Sequence, residues 1–150
     1  MRDRITDALK IALKAQDRRR ISTLRLIIAA VNDRDIALRG KGKDKADEEE
    51  ILEILGKMIK QREESSRLYR EGGRPELEKQ EMDEIAIIRE YMPQPLSDKE
   101  VTAAIEASIR ETGASSLRDM GKAMAYLKEH FRGRIDMAKA GPMIKSRLGA

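Results

Sequence analysis

Apolar residues recur every three or four positions along almost the whole chain, and no stretch alternates between apolar and polar residues. In the first segment, Ile5, Leu9, Ala12 and Leu13 fall on one side of a helix at this spacing. Strand-forming aromatic residues are scarce, since the chain has three tyrosines, one phenylalanine and no tryptophan. The pattern predicts an all-α fold.

Residues that cap, begin or end helices divide the pattern into separate segments. Asp17 is placed to cap a second helix, whose predicted buried stripe contains Ile21, Leu24, Ile28, Val31 and Leu38. Gly40 is expected to end this helix. A third helix is predicted after Asp47 and a fourth from Pro75, where a missing N–H group is tolerated.

The segment Pro93-Gln94-Pro95 cannot continue a helix and marks the predicted domain boundary. We predict an N-terminal domain of about four helices over residues 1–95 and a three-helix tail domain over 96–150. Ser97 and Glu100 have capping-box spacing. In the tail, Ser116 is expected to cap the sixth helix, and the seventh is expected to begin near Asp136 or Pro142.

The composition excludes several kinds of site. The chain has no cysteine and one histidine, His130, so thiolate chemistry is absent and zinc or catalytic-triad sites are hard to build. No phosphate-binding glycine loop or exposed-serine elbow is found. We predict no catalytic residue, metal or cofactor.

The longest apolar run, Leu26 to Val31, is too short to span a membrane, and the start lacks an apolar signal segment, so we expect a cytoplasmic protein.

Glu81 falls where the fourth helix should present an apolar residue, and Glu84 flanks it. Histidine partners for a di-metal bundle are missing, so we interpret the carboxylates as parts of an ion-pair network that fixes helix register. The other predicted members are Asp17, Arg20, Arg25 and Arg62.

Charge is distributed unevenly, with net values of +7 for residues 1–45, −6 for 46–95 and +3 for 96–150. The acidic middle is suited to dock against basic neighbours within the molecule. Basic residues dominate the end of the tail, and short helices there offer N-terminal N–H groups, so we predict contacts with RNA phosphates. The candidate RNA-binding residues are Lys122, Lys128, Arg132, Arg134, Lys139, Lys145 and Arg147.

Several segments occur in an order that resembles the GatB/YqeY family. They include Asp17 to Arg25, Lys60 to Ser65, Glu81 to Ile85, Tyr91 to Ser97, Asp119 to Met124 and Gly133 to Asp136. Together they cover almost the whole chain, which is therefore similar to a free-standing YqeY-like protein. Gly141-Pro142 departs from the Ser-type cap that is more usual there.

The resemblance implies an all-helical N-terminal domain, a small three-helix tail, and kinship with the tail of the B subunit of tRNA-dependent amidotransferase. By the family motif, Asp119 braces its helix, Gly121 allows close approach, Met124 is core and Lys122 faces ligand, with Met120 part of the same element. The family label is carbon–nitrogen ligase with glutamine as amide donor, but the chain contains no part to which we assign that reaction.

Three functions follow as hypotheses. The first is a non-catalytic module that binds tRNA or another structured RNA. The second is an accessory component of tRNA-dependent amidation, acting with amidotransferase or aminoacyl-tRNA synthetase-type proteins. The third is a helical protein-interaction adaptor that uses a surface around Met120, Met124 and Met137.

Overall fold

The computed structural model describes residues 1–149 and confirms the all-α prediction, because these residues form helices and no strand. None of these helices is both long enough and apolar enough to cross a bilayer. A short 3₁₀ helix, Leu117–Asp119, precedes the sixth α-helix. The α-helices are α1 (Arg2–Ala15), α2 (Arg18–Gly40), α3 (Glu48–Glu71), α4 (Pro75–Arg89), α5 (Asp98–Thr112), α6 (Met120–His130) and α7 (Met137–Leu148).

The chain divides into two compact units, Met1–Met92 and Pro93–Ala150, each with its own apolar core. Unit 1 contains α1 to α4, and unit 2 contains α5 to α7. This division lies close to the predicted boundary at residue 95, whereas the assignment of the two parts as separate domains stays a prediction.

Helix α2 is central to unit 1, since it packs against α1, α3 and α4. Leu24 and Ile27 are fully buried. Leu24, Val31 and Leu38 of the predicted stripe are buried, as expected. The prediction was wrong at Ile21 and Ile28, which are only partly buried. Leu13 on α1 is also not a core residue and remains 43% exposed. Adjacent apolar residues differ by about 100° around a helix axis, so neighbouring helices decide which of them is covered.

At the junction between α1 and α2, Asp17 takes part both in the end of the first helix and in the start of the second. Gln16 has a φ of 55°, in the left-handed region, and the N–H of Asp17 donates to the Ala12 carbonyl. These are the elements of a Schellman motif. The Asp17 carboxylate then accepts from the N–H of Arg20, which confirms its predicted role as the N-cap of α2.

Helices α3 and α4 form a close pair with predictable ends. Asp47 caps α3 by accepting from the Glu50 N–H group. Gly72 follows the last residue of α3, and Pro75 occupies the first position of α4. The predicted starts of α3 and α4 are confirmed, because each depends only on backbone groups within a few residues.

A buried carboxylate joins three parts of unit 1. Asp35 on α2 is 5% exposed, and its two oxygens accept hydrogen bonds from the Arg2 guanidinium at 2.9 and 2.6 Å. The Asp35 Oδ1 also accepts from the N–H of Ala46 at 2.8 Å. The side chain therefore ties the start of α1, the buried face of α2 and the loop before α3.

In unit 2, Ser97 and Glu100 form the predicted capping box on α5, which ends at Gly113. Ser116 occupies an N-cap position, as predicted, but the turn that it caps is the 3₁₀ helix Leu117–Asp119, which precedes α6. The seventh helix begins after Asp136, whose carboxylate accepts from the Ala138 N–H at 3.0 Å. Pro142 lies inside α7, where it removes one internal hydrogen bond.

We predict that Gln16→Gly raises the free energy of unfolding by about 0.5 to 1 kcal/mol. Glycine relieves the left-handed strain of a non-glycine residue, while its greater freedom in the unfolded chain offsets part of the gain. Urea denaturation measures the change. Lys10→Gly, in the exposed middle of α1, serves as the control and should lower stability by about 1 kcal/mol. An equal loss of stability in both variants would contradict the left-handed strain assigned to Gln16.

We predict that Asp35→Asn destabilises the protein at neutral pH and that its effect fades in acid. The Arg2 guanidinium and then the Ala46 N–H group lower the Asp35 pKa from 3.8 to about 2. Ionised Asp35 therefore contributes stability above pH 3.8, and the contribution is lost as the pH falls through about 2. Denaturation curves across this range test it, with exposed Asp33→Asn as control. A wild-type-to-variant difference that is independent of pH would contradict it.

Candidate functional site

The candidate RNA-binding residues of unit 2 are all on or near α6 and α7. Lys122 lies on the first turns of α6, with its side chain 68% exposed and its Nζ 3.9 Å from Asp119 Oδ1. Lys128 lies near the end of α6, Arg132 and Arg134 lie in the following turn, and Lys139, Lys145 and Arg147 lie on α7.

Arg147 and Arg134 hold parts of unit 2 together. The Nη1 of Arg147 donates to Glu106 Oε1 at 2.7 Å, which joins α7 to α5. The Nε of Arg134 donates to the Gln94 carbonyl at 2.9 Å, and the Arg134 carbonyl accepts from the Leu96 N–H at 3.0 Å. Arg134 therefore fastens the first residues of unit 2 to the turn before α7.

Three exposed lysines are the best placed of the set to meet a phosphate. Lys139 and Lys145 have no side-chain hydrogen bond or ion pair within residues 1–149, and Lys122 has only its long contact with Asp119. A spacing of six residues places Lys139 and Lys145 about 120° apart around α7. The cations are therefore distributed over the outer surface of α7 and do not converge on one pocket.

Acidic side chains lie at or near the helix N-termini of unit 2, where the sequence predicts phosphate contacts. Glu100 accepts from Ser97 N–H before α5, and Asp136 caps α7. Asp119 Oδ2 accepts from the N–H of Ser115 at 2.9 Å and of Ser116 at 3.4 Å. The Ser115 N–H is the main reason that the Asp119 pKa is lowered. A carboxylate near a helix N-terminus disfavours a phosphate there, because the two groups carry the same charge. Phosphate contacts at these termini stay a prediction.

The family-motif residues have different roles from one another. Asp119 braces the turn before α6 through the serine N–H groups. Met120 and Met124 pack against the unit 2 core while remaining partly exposed. The predicted close approach at Gly121 was wrong, since a Cβ atom added there would meet nothing within 4 Å. At Gly141 an added Cβ atom would lie 3.6 Å from the Met120 Cε, an ordinary van der Waals distance.

The residues of the predicted ion-pair network in unit 1 lie in two separate groups. Arg62 and Glu84 form a largely buried pair, with Nε and Oε2 2.9 Å apart, and Arg62 also donates to the Met58 carbonyl. Glu81 lies beside this pair, and its pKa is raised, chiefly by burial and then by the charge of Glu84. This group links α3 to α4.

The second group connects the start of α2 to the end of α4. Arg20 contacts Asp17 at 3.5 Å and Glu90 at 2.8 Å, and these acidic partners, Glu90 first, raise the Arg20 pKa. Arg25 was predicted to join the network, but its side chain is exposed and has no hydrogen bond or ion pair within the described chain. Its position next to Leu24 in sequence directs it away from the buried face.

Sequence reasoning missed Asp35 and its partner Arg2. Asp35 continues the buried series of α2 after Val31, so it carries the same signal that identified Glu81, a charged residue at an apolar position. The Arg19–Asp83 pair, at 3.1 Å, was also missed. Its partners are far apart in sequence, and no local signal joins them.

His130 lies at the end of α6, where its ring stacks on Tyr126 with centroids 4.0 Å apart. Its Nδ1 is 3.0 Å from the Tyr126 carbonyl. Within residues 1–149, no group of three or more histidine or acidic side chains is arranged to bind a metal ion.

The sequence profile of the Yqey-like protein family matches residues 2–148. The chain belongs to this family. Curated relatives include the Saccharomyces cerevisiae (strain YJM789) protein named "Altered inheritance of mitochondria protein 41, mitochondrial", which is 30% identical over 129 residues. The match covers 85% of this chain and 66% of the yeast protein, slightly less than two thirds of its length.

A relative with the same name from Lachancea thermotolerans (strain CBS 6340) is 30% identical over 110 residues, which cover 72% of this chain and 57% of that protein. These names contradict the prediction of a cytoplasmic location, since they describe the YqeY-family relatives as mitochondrial. That prediction was based on the short apolar runs and on the lack of an apolar signal segment, and neither observation identifies a compartment.

We predict that Glu84→Ala lowers the free energy of unfolding by about 3 kcal/mol, because it leaves the Arg62 charge largely buried without its partner. The double variant Arg62→Met/Glu84→Leu should recover most of the loss, since apolar residues can replace a buried pair. Urea denaturation measures both.

Glu63→Ala is the matched control, because it breaks the exposed Arg89–Glu63 pair between the same two helices. It should change stability by no more than about 1 kcal/mol. A double variant as unstable as Glu84→Ala would contradict the replaceable-pair account.

Proposed function

We propose that unit 2 binds tRNA or another structured RNA and that the chain serves as a binding module without a covalent step of its own. The observation that carries the proposal is the set of exposed ammonium groups of Lys122, Lys139 and Lys145. Lys139 and Lys145 make no competing contact in the described chain, and the contact of Lys122 is long. Free cations of this kind bind phosphates with little internal rearrangement.

The distribution of the lysines supports recognition of shape over recognition of sequence. Cations around different sides of α7 can follow a curved phosphate backbone, whereas base reading requires donors and acceptors that converge on a groove. The residues around α7 offer no such convergence. A folded RNA with phosphates on a continuous surface is therefore the proposed ligand class.

The adaptor hypothesis receives less support. Met120, Met124 and Met137 all pack against the unit 2 core, so their flexible side chains fill space within the fold. An accessory role in tRNA-dependent amidation follows from the GatB/YqeY resemblance alone. Both that accessory role and the proposed RNA-binding module require binding to RNA.

We predict that the triple variant Lys122→Ala/Lys139→Ala/Lys145→Ala weakens binding to a labelled tRNA transcript. Binding of the variant should release fewer counterions from the RNA, because three phosphate contacts are lost. The magnitude of the negative slope of log affinity against log salt should therefore decrease by about 2 to 3. Filter binding between low and moderate salt measures both quantities, and a circular dichroism melt confirms that the variant is folded.

The matched control is Lys41→Ala/Lys43→Ala/Lys57→Ala, which removes the same charge from exposed positions of unit 1. It should retain the wild-type slope. Equal weakening by both triple variants would contradict the assignment to unit 2, and salt-insensitive or absent tRNA binding would contradict the proposed function.

A further inference from the structure

A shallow groove lies on the surface of unit 1, at the corner where α1 turns into α2. Its residues are Leu13, Arg18, Ile21, Ser22, Arg25 and Leu26. Leu13 and Leu26 are 43% and 47% exposed, although both are large apolar residues. The groove therefore combines two exposed apolar side chains with two guanidinium groups.

The arginines near the start of α2 fall into two classes. Arg19 and Arg20 are paired within the fold, to Asp83 at 3.1 Å and to Glu90 at 2.8 Å. Arg18 and Arg25 are exposed and have no side-chain hydrogen bond or ion pair within residues 1–149. The acidic residues of unit 1 therefore neutralise one side of α2 and leave the guanidinium groups in the groove available.

Helical geometry aligns the two available guanidinium groups. Arg18 and Arg25 are seven residues apart, which corresponds to about two turns and about 10.5 Å along α2. The two residues therefore lie on the same side of the helix. Ile21 and Ser22 lie between them, and Leu26 follows Arg25, so the cations stand at either end of a mostly apolar floor.

We propose that this groove binds an acidic amphipathic helical segment of another protein. Such a segment carries two carboxylates about two turns apart, which match Arg18 and Arg25, and apolar residues between them, which cover Leu13 and Leu26. The apolar floor favours this occupant over nucleic acid, because a phosphate backbone presents no apolar group to leucine side chains. The surface is separate from the lysines of unit 2, and the inference does not depend on RNA binding.

The test uses the full chain and a labelled amphipathic peptide of about four helical turns. The peptide carries two glutamates seven residues apart, with leucines at the helical positions between them. Fluorescence anisotropy should show saturable binding to the wild type. Arg18→Glu/Arg25→Glu should weaken binding at least about tenfold, since two charge pairs are lost and replaced by repulsion.

Two controls separate specific pairing from general attraction. Arg39→Glu/Arg74→Glu makes the same change in net charge at exposed positions outside the groove and should bind the peptide as the wild type does. A peptide with both glutamates replaced by arginines should bind Arg18→Glu/Arg25→Glu better than it binds the wild type. If Arg18→Glu/Arg25→Glu fails to fold, Arg18→Gln/Arg25→Gln provides the same comparison without repulsion.

Four results would overturn the proposal. The first is no peptide binding, and the second is equal weakening by the control variant. The third is self-association of the wild type that Arg18→Glu/Arg25→Glu abolishes in analytical ultracentrifugation, because the occupant would then be a second copy. The fourth is tRNA binding that depends on Arg18 and Arg25, which would assign the groove to nucleic acid.

Discussion

The packing of α2 against α1, α3 and α4 is the constraint on which unit 1 depends. Burying Leu24 and Ile27 fixes the rotation of α2 about its axis. That rotation places Asp35 inside, where it meets Arg2 and the Ala46 N–H group. The same rotation decides which arginines reach the acidic residues of α4 and which remain in the groove beside α1.

The position of each basic residue therefore decides whether it has an acidic partner within its unit, and the net charge of a segment does not. The net −6 of residues 46–95 contributes partners for Arg19, Arg20 and Arg62 within unit 1. In unit 2, Glu106 and the Gln94 carbonyl similarly engage Arg147 and Arg134. The cations without such partners define the two candidate binding surfaces, a groove with an apolar floor in unit 1 and a dispersed set of lysines in unit 2.

Local signals in the sequence predicted much of the fold. The caps at Asp17 and Ser97 and the start at Pro75 were correct, because each depends on groups within one helical turn. Features that depend on a second helix were less predictable. The choice between Ile27 and Ile28 required the neighbouring helices, and so did the open space beside Gly121. The candidate sites were predicted less well, since residue type does not reveal which cation has an internal partner.

The sorting of arginines is the central claim, and side-chain NMR of the guanidinium groups tests it most directly. Hydrogen exchange and rotation at each Nε and Nη group slow when the donors are held by a carboxylate. The account predicts slow exchange for Arg2 and Arg62 and fast, water-like exchange for Arg18 and Arg25 in the free protein. Slow exchange at Arg18 and Arg25 without any ligand would show that internal partners hold them, and it would contradict the account.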